Sequence, residues 1–256
     1  MDWAMAGLTA PEFWAAMAIS LFAGFVKGAV GFAMPMIMIS AFSAYLPPEL
    51  ALAGLILPTL FTNLSQAFRQ GLAAARDTAF AYRRFLIGTV VFIAVSAQFA
   101  GTIPQPVFLL LLGLPITAFA ALQLSGRQLA LHLDHRRRAE WALGILGGLY
   151  GGVSGIWGPP LLVYLMSIGA QKTAVIRVQG VVFLIGAIAL LAAHLQTGIA
   201  NPMSMAFSGA LSVPALIGLR AGYVLQDRLD QARFRRWTQI LLILTGLNLM
   251  RRAFGY

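Results

Sequence analysis

The run Ala23-Gly24-Phe25-Val26-Lys27-Gly28-Ala29-Val30-Gly31-Phe32-Ala33-Met34-Pro35 has a counterpart later in the chain, Gly147-Gly148-Leu149-Tyr150-Gly151-Gly152-Val153-Ser154-Gly155-Ile156-Trp157-Gly158-Pro159-Pro160. The two align without a gap at an offset of 124: Gly24 matches Gly148, Gly28 matches Gly152, Gly31 matches Gly155 and Pro35 matches Pro159. Each run breaks a long apolar segment with residues that end or kink a helix. Four matches at one offset, close to half the chain, indicate an internal duplication, with residues 1–125 as the first repeat and 126–256 as the second.

The surroundings of the two runs identify the solvent. The chain has 256 residues, of which 59% are hydrophobic and 10% charged, with a mean hydropathy of +0.81. A soluble domain carries about 25% charged residues. Here charge is too sparse to coat a globule, so the chain is read as a multi-pass membrane protein. Its apolar segments are 13–46, 48–68, 85–101, 104–124, 141–169, 173–196, 202–226 and 237–250. Most suit one helix of about 20 residues across a bilayer. Segments 13–46 and 141–169 exceed one span but fall short of two, and these are the two that carry the breaks. Met1 to Pro11 lacks a basic stretch, so no cleaved signal peptide is expected. The absence of cysteine excludes disulfides, thiolate metal sites and cysteine nucleophiles.

A net charge of +10 raises the question of nucleic acid. The position of the charge answers it: 12 of the 18 Lys and Arg fall in the short stretches 69–84, 127–138 and 228–236. Basic clusters between apolar segments are topology signals retained on the cytoplasmic side; no nucleic-acid partner is expected. All three clusters reach one side if segment 141–169 is a re-entrant hairpin, and by symmetry 13–46 is read as one too. The predicted fold is therefore all-α and integral to the membrane. Each of two homologous halves opens with a Gly/Pro-broken, re-entrant segment followed by three transmembrane helices, and the odd number of crossings inverts the halves. Arg251 and Arg252 then end outside, against the charge rule. The rival is eight full spans with parallel repeats.

Unpaired backbone groups survive at membrane depth only inside protein or beside water. Broken helices at matching positions in two halves are thus pointers to a midplane substrate site. The helix that restarts after each break offers free N–H groups and partial positive charge to an anion, and glycines permit close approach. Lys27 lies inside the first break with no intramembrane carboxylate in the sequence to pair it, which suits a substrate that brings negative charge. Snorkelling towards the interface is the competing reading. Asn63 and Gln66 share a helix face, and Gln179, with Arg177, begins segment 173–196. The candidate substrate-binding residues are Lys27, Gly28, Gly31, Gly152, Ser154, Gly155, Asn63, Gln66 and Gln179. Helix–helix hydrogen bonding is the plainer role for the polar ones taken singly. His194 is the one near-membrane group titrating around neutral pH, and an interfacial cap is its favoured reading.

At the two breaks, Gly28-Ala29-Val30-Gly31-Phe32-Ala33-Met34-Pro35 and Gly152-Val153-Ser154-Gly155-Ile156-Trp157-Gly158-Pro159-Pro160, the sequence resembles the TauE/SafE (sulfite exporter, TSUP) family of transporters. The first run departs from the family form, with Ala33 and Met34 where small glycines are frequent. The resemblance implies movement of a small sulfur-containing anion, such as sulfite or a sulfonate, across the bacterial inner membrane. No cofactor is expected; the lipid bilayer is the surrounding partner, and a homo-oligomer is compatible with the pattern.

The alternative is a rhomboid-like intramembrane serine protease using Ser154 and His194. Gly152-Val153-Ser154-Gly155 looks like its nucleophile turn, and Ala193-His194-Leu195-Gln196-Thr197-Gly198 loosely resembles its histidine segment with one extra residue. Val30, the first-repeat equivalent of Ser154, argues for a structural frame, and His194 is expected at the far membrane face, away from Ser154. Met34, Met36 and Met38 do not form one ligand face at about 200° per step; ordinary lipid-facing packing is expected, and no metal site.

Overall fold

Helix ends fall where the glycines predict them. The computed structural model describes residues 6–126, 136–170, 172–226 and 231–254. Among these are eleven α-helices: α1 (Ala10–Val30), α2 (Met34–Phe42), α3 (Pro48–Ala67), α4 (Leu72–Ala81), α5 (Arg83–Ala97), α6 (Gln105–Leu124), α7 (Arg136–Ser154), α8 (Gly158–Ser167), α9 (Lys172–Thr197), α10 (Pro202–Gln226) and α11 (Gln231–Ala253). Gly31 ends α1 at φ 88°, and Gly155 follows α7 at φ 71°. The two stops match bond for bond: Gly31 N–H donates to Lys27 O and Gly155 N–H to Gly151 O, both at 2.7 Å.

Each broken segment is therefore two helices, one long and one short. At 1.5 Å per residue, the 10 residues of α8 extend only about 15 Å, half a bilayer core. That length rules out α8 as a full span, and the 9 residues of α2 fail likewise. The polar stretch 69–84, read as a loop, contains the short helix α4. Among the described residues six helices are long and apolar enough to cross a membrane: Ala10–Val30, Pro48–Ala67, Arg83–Thr102, Pro106–Leu124, Ala174–Thr197 and Pro202–Leu225. α11 has the length but carries arginines at both ends. Residues 127–135 and 227–230, holding much of two predicted basic loops, lie outside the described residues.

Small residues set how the long helices meet. A Cβ added to Gly24 or Gly28 would sit 2.1 Å from Ala215 O or 2.2 Å from Leu219 O, so α1 lies directly on α10. Gly144 and Gly148 meet Phe85 O and Thr89 O on α5 in the same manner, at 2.5 Å each. Such contacts are how membrane helices gain van der Waals packing when lipid offers no hydrophobic drive. Both pairs run parallel, since Gly24 and Gly28 meet Ala215 and Leu219 in rising order, and Gly144 and Gly148 meet Phe85 and Thr89. Two other pairs run antiparallel. Gln66 of α3 bonds to Ile176 O near the start of α9, while Leu60, earlier on α3, packs against the cluster that includes Val181 and Leu184, further along α9. On α6 and α11, Gly113 meets Met250 while Gln123 bonds to Gln239.

α2 is enclosed by α1, α3, α6 and α11. Met34, Met36 and Met38 are all buried, which corrects the lipid-facing expectation. Three directions around a short helix all meet protein when the helix sits in the middle of the bundle. Arg252 also finds a role that charge counting missed. Its guanidinium donates to Ser43 O at 2.7 Å, capping the C-terminal end of α2.

Candidate functional site

The polar centre is built on one face of α3. Thr59, Thr62, Asn63 and Gln66 recur at helical spacing and are all buried. Lys27, on the last turn of α1, is 1% exposed and turns inward, so snorkelling does not describe it. Its ammonium donates to Thr62 Oγ1 at 2.8 Å and to Asn63 Oδ1. Thr62 can accept because its own hydrogen is directed to Pro58 O at 2.6 Å. No carboxylate pairs with Lys27 among the described residues. An ammonium has three N–H donors, and two are used.

Gln66 ties this face to the first break. Its Nε2 donates to Gly31 O at 3.0 Å and to Ile176 O at 3.1 Å. Gly31 lies beside Gln179, whose Oε1 would be 3.2 Å from a Cβ at that position. Several polar atoms in this cluster are buried without a partner among the described residues: Thr59 Oγ1, Asn63 Nδ2, Gln66 Oε1 and Gln179 Nε2. Each would cost about 1–3 kcal/mol if nothing ever bonded to it. Such an accumulation at one place, with a half-engaged ammonium, is unusual for a site whose only task is packing.

The second break faces the first across a narrow crevice. Phe32, Ala33 and Pro35 line one side, and Gly155, Ile156, Trp157 and Gly158 the other, with Thr59 between them. Its volume is about 20 Å³, room for about one water, and most of its wall is apolar. The breaks thus meet across a narrow, largely apolar crevice rather than a wet chamber. Ala33 adopts φ 78°, a left-handed conformation that glycine takes without strain. Trp157 is buried against Gly151 and Gly186, and its indole Nε1–H has no partner among the described residues.

Of the predicted site residues, Lys27, Gly31, Asn63, Gln66 and Gln179 come together around the first break. Gly155 lies across the crevice, its added Cβ 2.7 Å from Leu55 Cδ1. Ser154 ends α7, its Oγ donating to Tyr150 O at 2.7 Å and accepting from Ile156 N–H at 3.1 Å. Gly28 and Gly152 face neighbouring helices: a Cβ on Gly152 would lie 2.1 Å from Ser96 Oγ. Sequence reasoning missed Thr59, Thr62 and Trp157. Extending the Asn63–Gln66 face one turn back would have found both threonines; nothing in the sequence separates Trp157 from an ordinary packing tryptophan.

His194 is not remote from the second break. It is wholly buried, with Nε2 3.0 Å from Gly152 O and Nδ1 3.3 Å from Thr197 Oγ1. The reason is the antiparallel return of α7 and α8: Tyr164 reaches Glu140 at 2.5 Å near the start of α7, which leaves the break at the opposite end, level with the last turns of α9. The protease geometry nevertheless fails: Ser154 bonds to the backbone of Tyr150 and Ile156, and His194 to Gly152 O and the Thr197 hydroxyl, not to each other.

No curated protein and no solved structure matches the chain. The family model for the sulfite exporter TauE/SafE matches residues 16–249, nearly the whole length and both breaks. A bundle with six candidate membrane spans among the described residues fits that match, and the chain belongs to the TauE/SafE sulfite exporter family, integral membrane transporters of anionic substrates and not enzymes.

Proposed function

We propose that this transporter moves a small sulfur-containing oxyanion, such as sulfite or a sulfonate, across the bacterial inner membrane. The observation that carries the reading is Lys27: an enclosed ammonium with neutral oxygen partners and one N–H to spare. Burying that charge is costly unless a negative group joins it, and a substrate anion supplies one. Asn63 Nδ2, Gln179 Nε2 and Trp157 Nε1 would add neutral donors, with Gly31 and Gly155 opening the backbone on either side. Gly28 and Gly152 serve the site indirectly, by letting α1 and α7 lie close to their neighbours.

The two halves, 1–125 and 126–256, act as inverted repeats on this reading. Exchange of halves turns the α1–α10 contact into the α7–α5 contact, and maps α3 onto α9 and α6 onto α11. The self-paired helices are antiparallel, as a two-fold axis in the membrane plane requires; parallel repeats would make them parallel. The α1–α2 and α7–α8 pairs are re-entrant hairpins: Tyr164 near the end of α8 meets Arg136 and Glu140 at the start of α7, and Phe13 and Phe42 both meet Phe207. The crevice, with room for about one water, must widen towards each side in turn to pass the anion.

The test is flux of labelled sulfite or sulfoacetate into proteoliposomes. Lys27→Met removes the charge but keeps the bulk. It is expected to lower flux by at least about tenfold, the loss of one charge-assisted contact, while folding is retained or improved. Wild-type flux in Lys27→Met would overturn the assignment.

A further inference from the structure

Away from the polar face of α3, His194 is the titratable side chain that lies wholly inside the protein beside the second break. Its surroundings fix its hydrogens. The Gly152 carbonyl, 3.0 Å from Nε2, can only accept, so Nε2 carries the hydrogen. In the neutral ring Nδ1 is then an acceptor for the Thr197 hydroxyl at 3.3 Å. Thr197 Oγ1 also lies 3.4 Å from His194 O, a second acceptor for the same hydrogen. When Nδ1 takes a proton, the hydroxyl turns its hydrogen to His194 O and accepts from Nδ1–H. Both protonation states keep both ring nitrogens partnered, with no heavy atom displaced.

A route for the proton is present. Thr197, with Gly198 and Ile199, lines a vestibule of about 490 Å³ shared with Glu49, Gln98, Asn201 and Ser204. It lies at the end of the bundle opposite α4. The groups that face the imidazole are the Gly152 carbonyl from α7 and Thr197 from α9 itself; α3 contributes Glu49 at the vestibule wall. No Asp, Glu, Lys or Arg among the described residues bonds to the ring.

We propose that His194 binds the proton whose movement is coupled to that of the anion. The inference rests on the transport reading above. A proton on His194 places positive charge next to Gly152 O, three residues before the Gly155 break. Positive charge there favours an anion in the break, and by linkage the anion favours the proton by the same factor. Proton and anion therefore bind cooperatively, as in symport.

The test uses reconstituted full-length protein and labelled sulfoacetate, whose charge is constant across neutral pH, so that a proton effect belongs to the protein. Two rates are read: counterflow without a pH gradient, and accumulation driven by one. His194→Gln keeps an N–H for Gly152 O but cannot carry the proton. It is expected to retain counterflow within about threefold and to lose gradient-driven accumulation by about tenfold or more. Gradient-driven accumulation in His194→Gln at the wild-type level, or wild-type counterflow with no accumulation under a pH gradient, overturns the proton role and leaves the transport reading standing. Absence of wild-type counterflow with both sulfoacetate and sulfite overturns the two together. Should His194→Gln fail to fold, Thr197→Val decides: it keeps the imidazole but removes the switching hydroxyl, and an unaltered gradient response in it overturns the proposal.

Discussion

Lys27 and Ala33 represent two ways in which a residue departs from what its surroundings prefer. Lys27 is a basic side chain in an apolar bundle, held by hydrogen bonds to Thr62 and Asn63 with no carboxylate beside it among the described residues. The charge was legible in the sequence, because no acidic residue occurs in the middle of an apolar segment. Its inward direction was not, since a lysine stem reaches either the interface or the core with equal ease. Ala33 is the opposite case. The sequence marks it only as an alanine where glycine is usual, and the backbone supplies the reason: φ of 78° brings Cβ against its own carbonyl. Ala33→Gly is expected to stabilise the protein by up to about 1 kcal/mol, the relieved left-handed strain less the added freedom of the unfolded chain. Thermal unfolding in detergent measures this, and a lower midpoint for the variant would contradict the strain argument.

At the scale of the helix, glycines do two separate jobs that share one sequence signature. Gly31 and Gly155 end helices at positive φ. Gly28 and Gly152, three residues earlier, are contact points between helices. Gly28→Ala and Gly152→Ala are each expected to destabilise by about 1–3 kcal/mol, as methyl groups forced into a filled seam do. Reduced folded yield at unchanged substrate affinity per folded molecule is the expected pattern; normal yield with lost affinity would instead make these glycines ligand contacts. Pro58 inside α3 illustrates a local rule met by a distant residue. Lacking an N–H, it leaves Gly54 O without its helical partner, and Ser208 Oγ of α10 donates there at 3.2 Å. The α7–α8 pair is fixed at its far end by the buried carboxylate of Glu140, which accepts from Tyr164 and lies 3.4 Å from Arg84 and 3.6 Å from Arg136. Glu140→Ala removes the acceptor of the Tyr164 hydroxyl and the partner of two part-exposed arginines and is expected to destabilise by about 1–2 kcal/mol. A chemical denaturation midpoint equal to wild type would show that the cluster does not anchor the pair.

For the whole molecule, the decisive property is the relation between the halves. The chain has no cysteine, so single-cysteine reporters can be introduced without background. Ala73 and Ala170 lie at the end of the bundle where Arg177 bonds to Gln70, whereas Thr102 lines the vestibule at the other end. Ala73→Cys and Ala170→Cys should react from the cytoplasmic side and Thr102→Cys from the outside with a membrane-impermeant maleimide. Labelling of Ala73→Cys and Ala170→Cys from different sides would exclude the re-entrant hairpin.

The sequence alone determined the solvent, the positions of both breaks and the family resemblance, because these depend on composition and on the local stereochemistry of glycine and proline. It also nominated Lys27, Asn63, Gln66 and Gln179, since polar groups in an apolar segment are conspicuous. Only the tertiary structure decided which glycines turn the chain and which pack helices, that the methionines of α2 are enclosed, and that His194 touches the run leading into the second break. Those outcomes depend on which faces meet across helices far apart in sequence, and neither the spacing nor the identity of a residue carries that information.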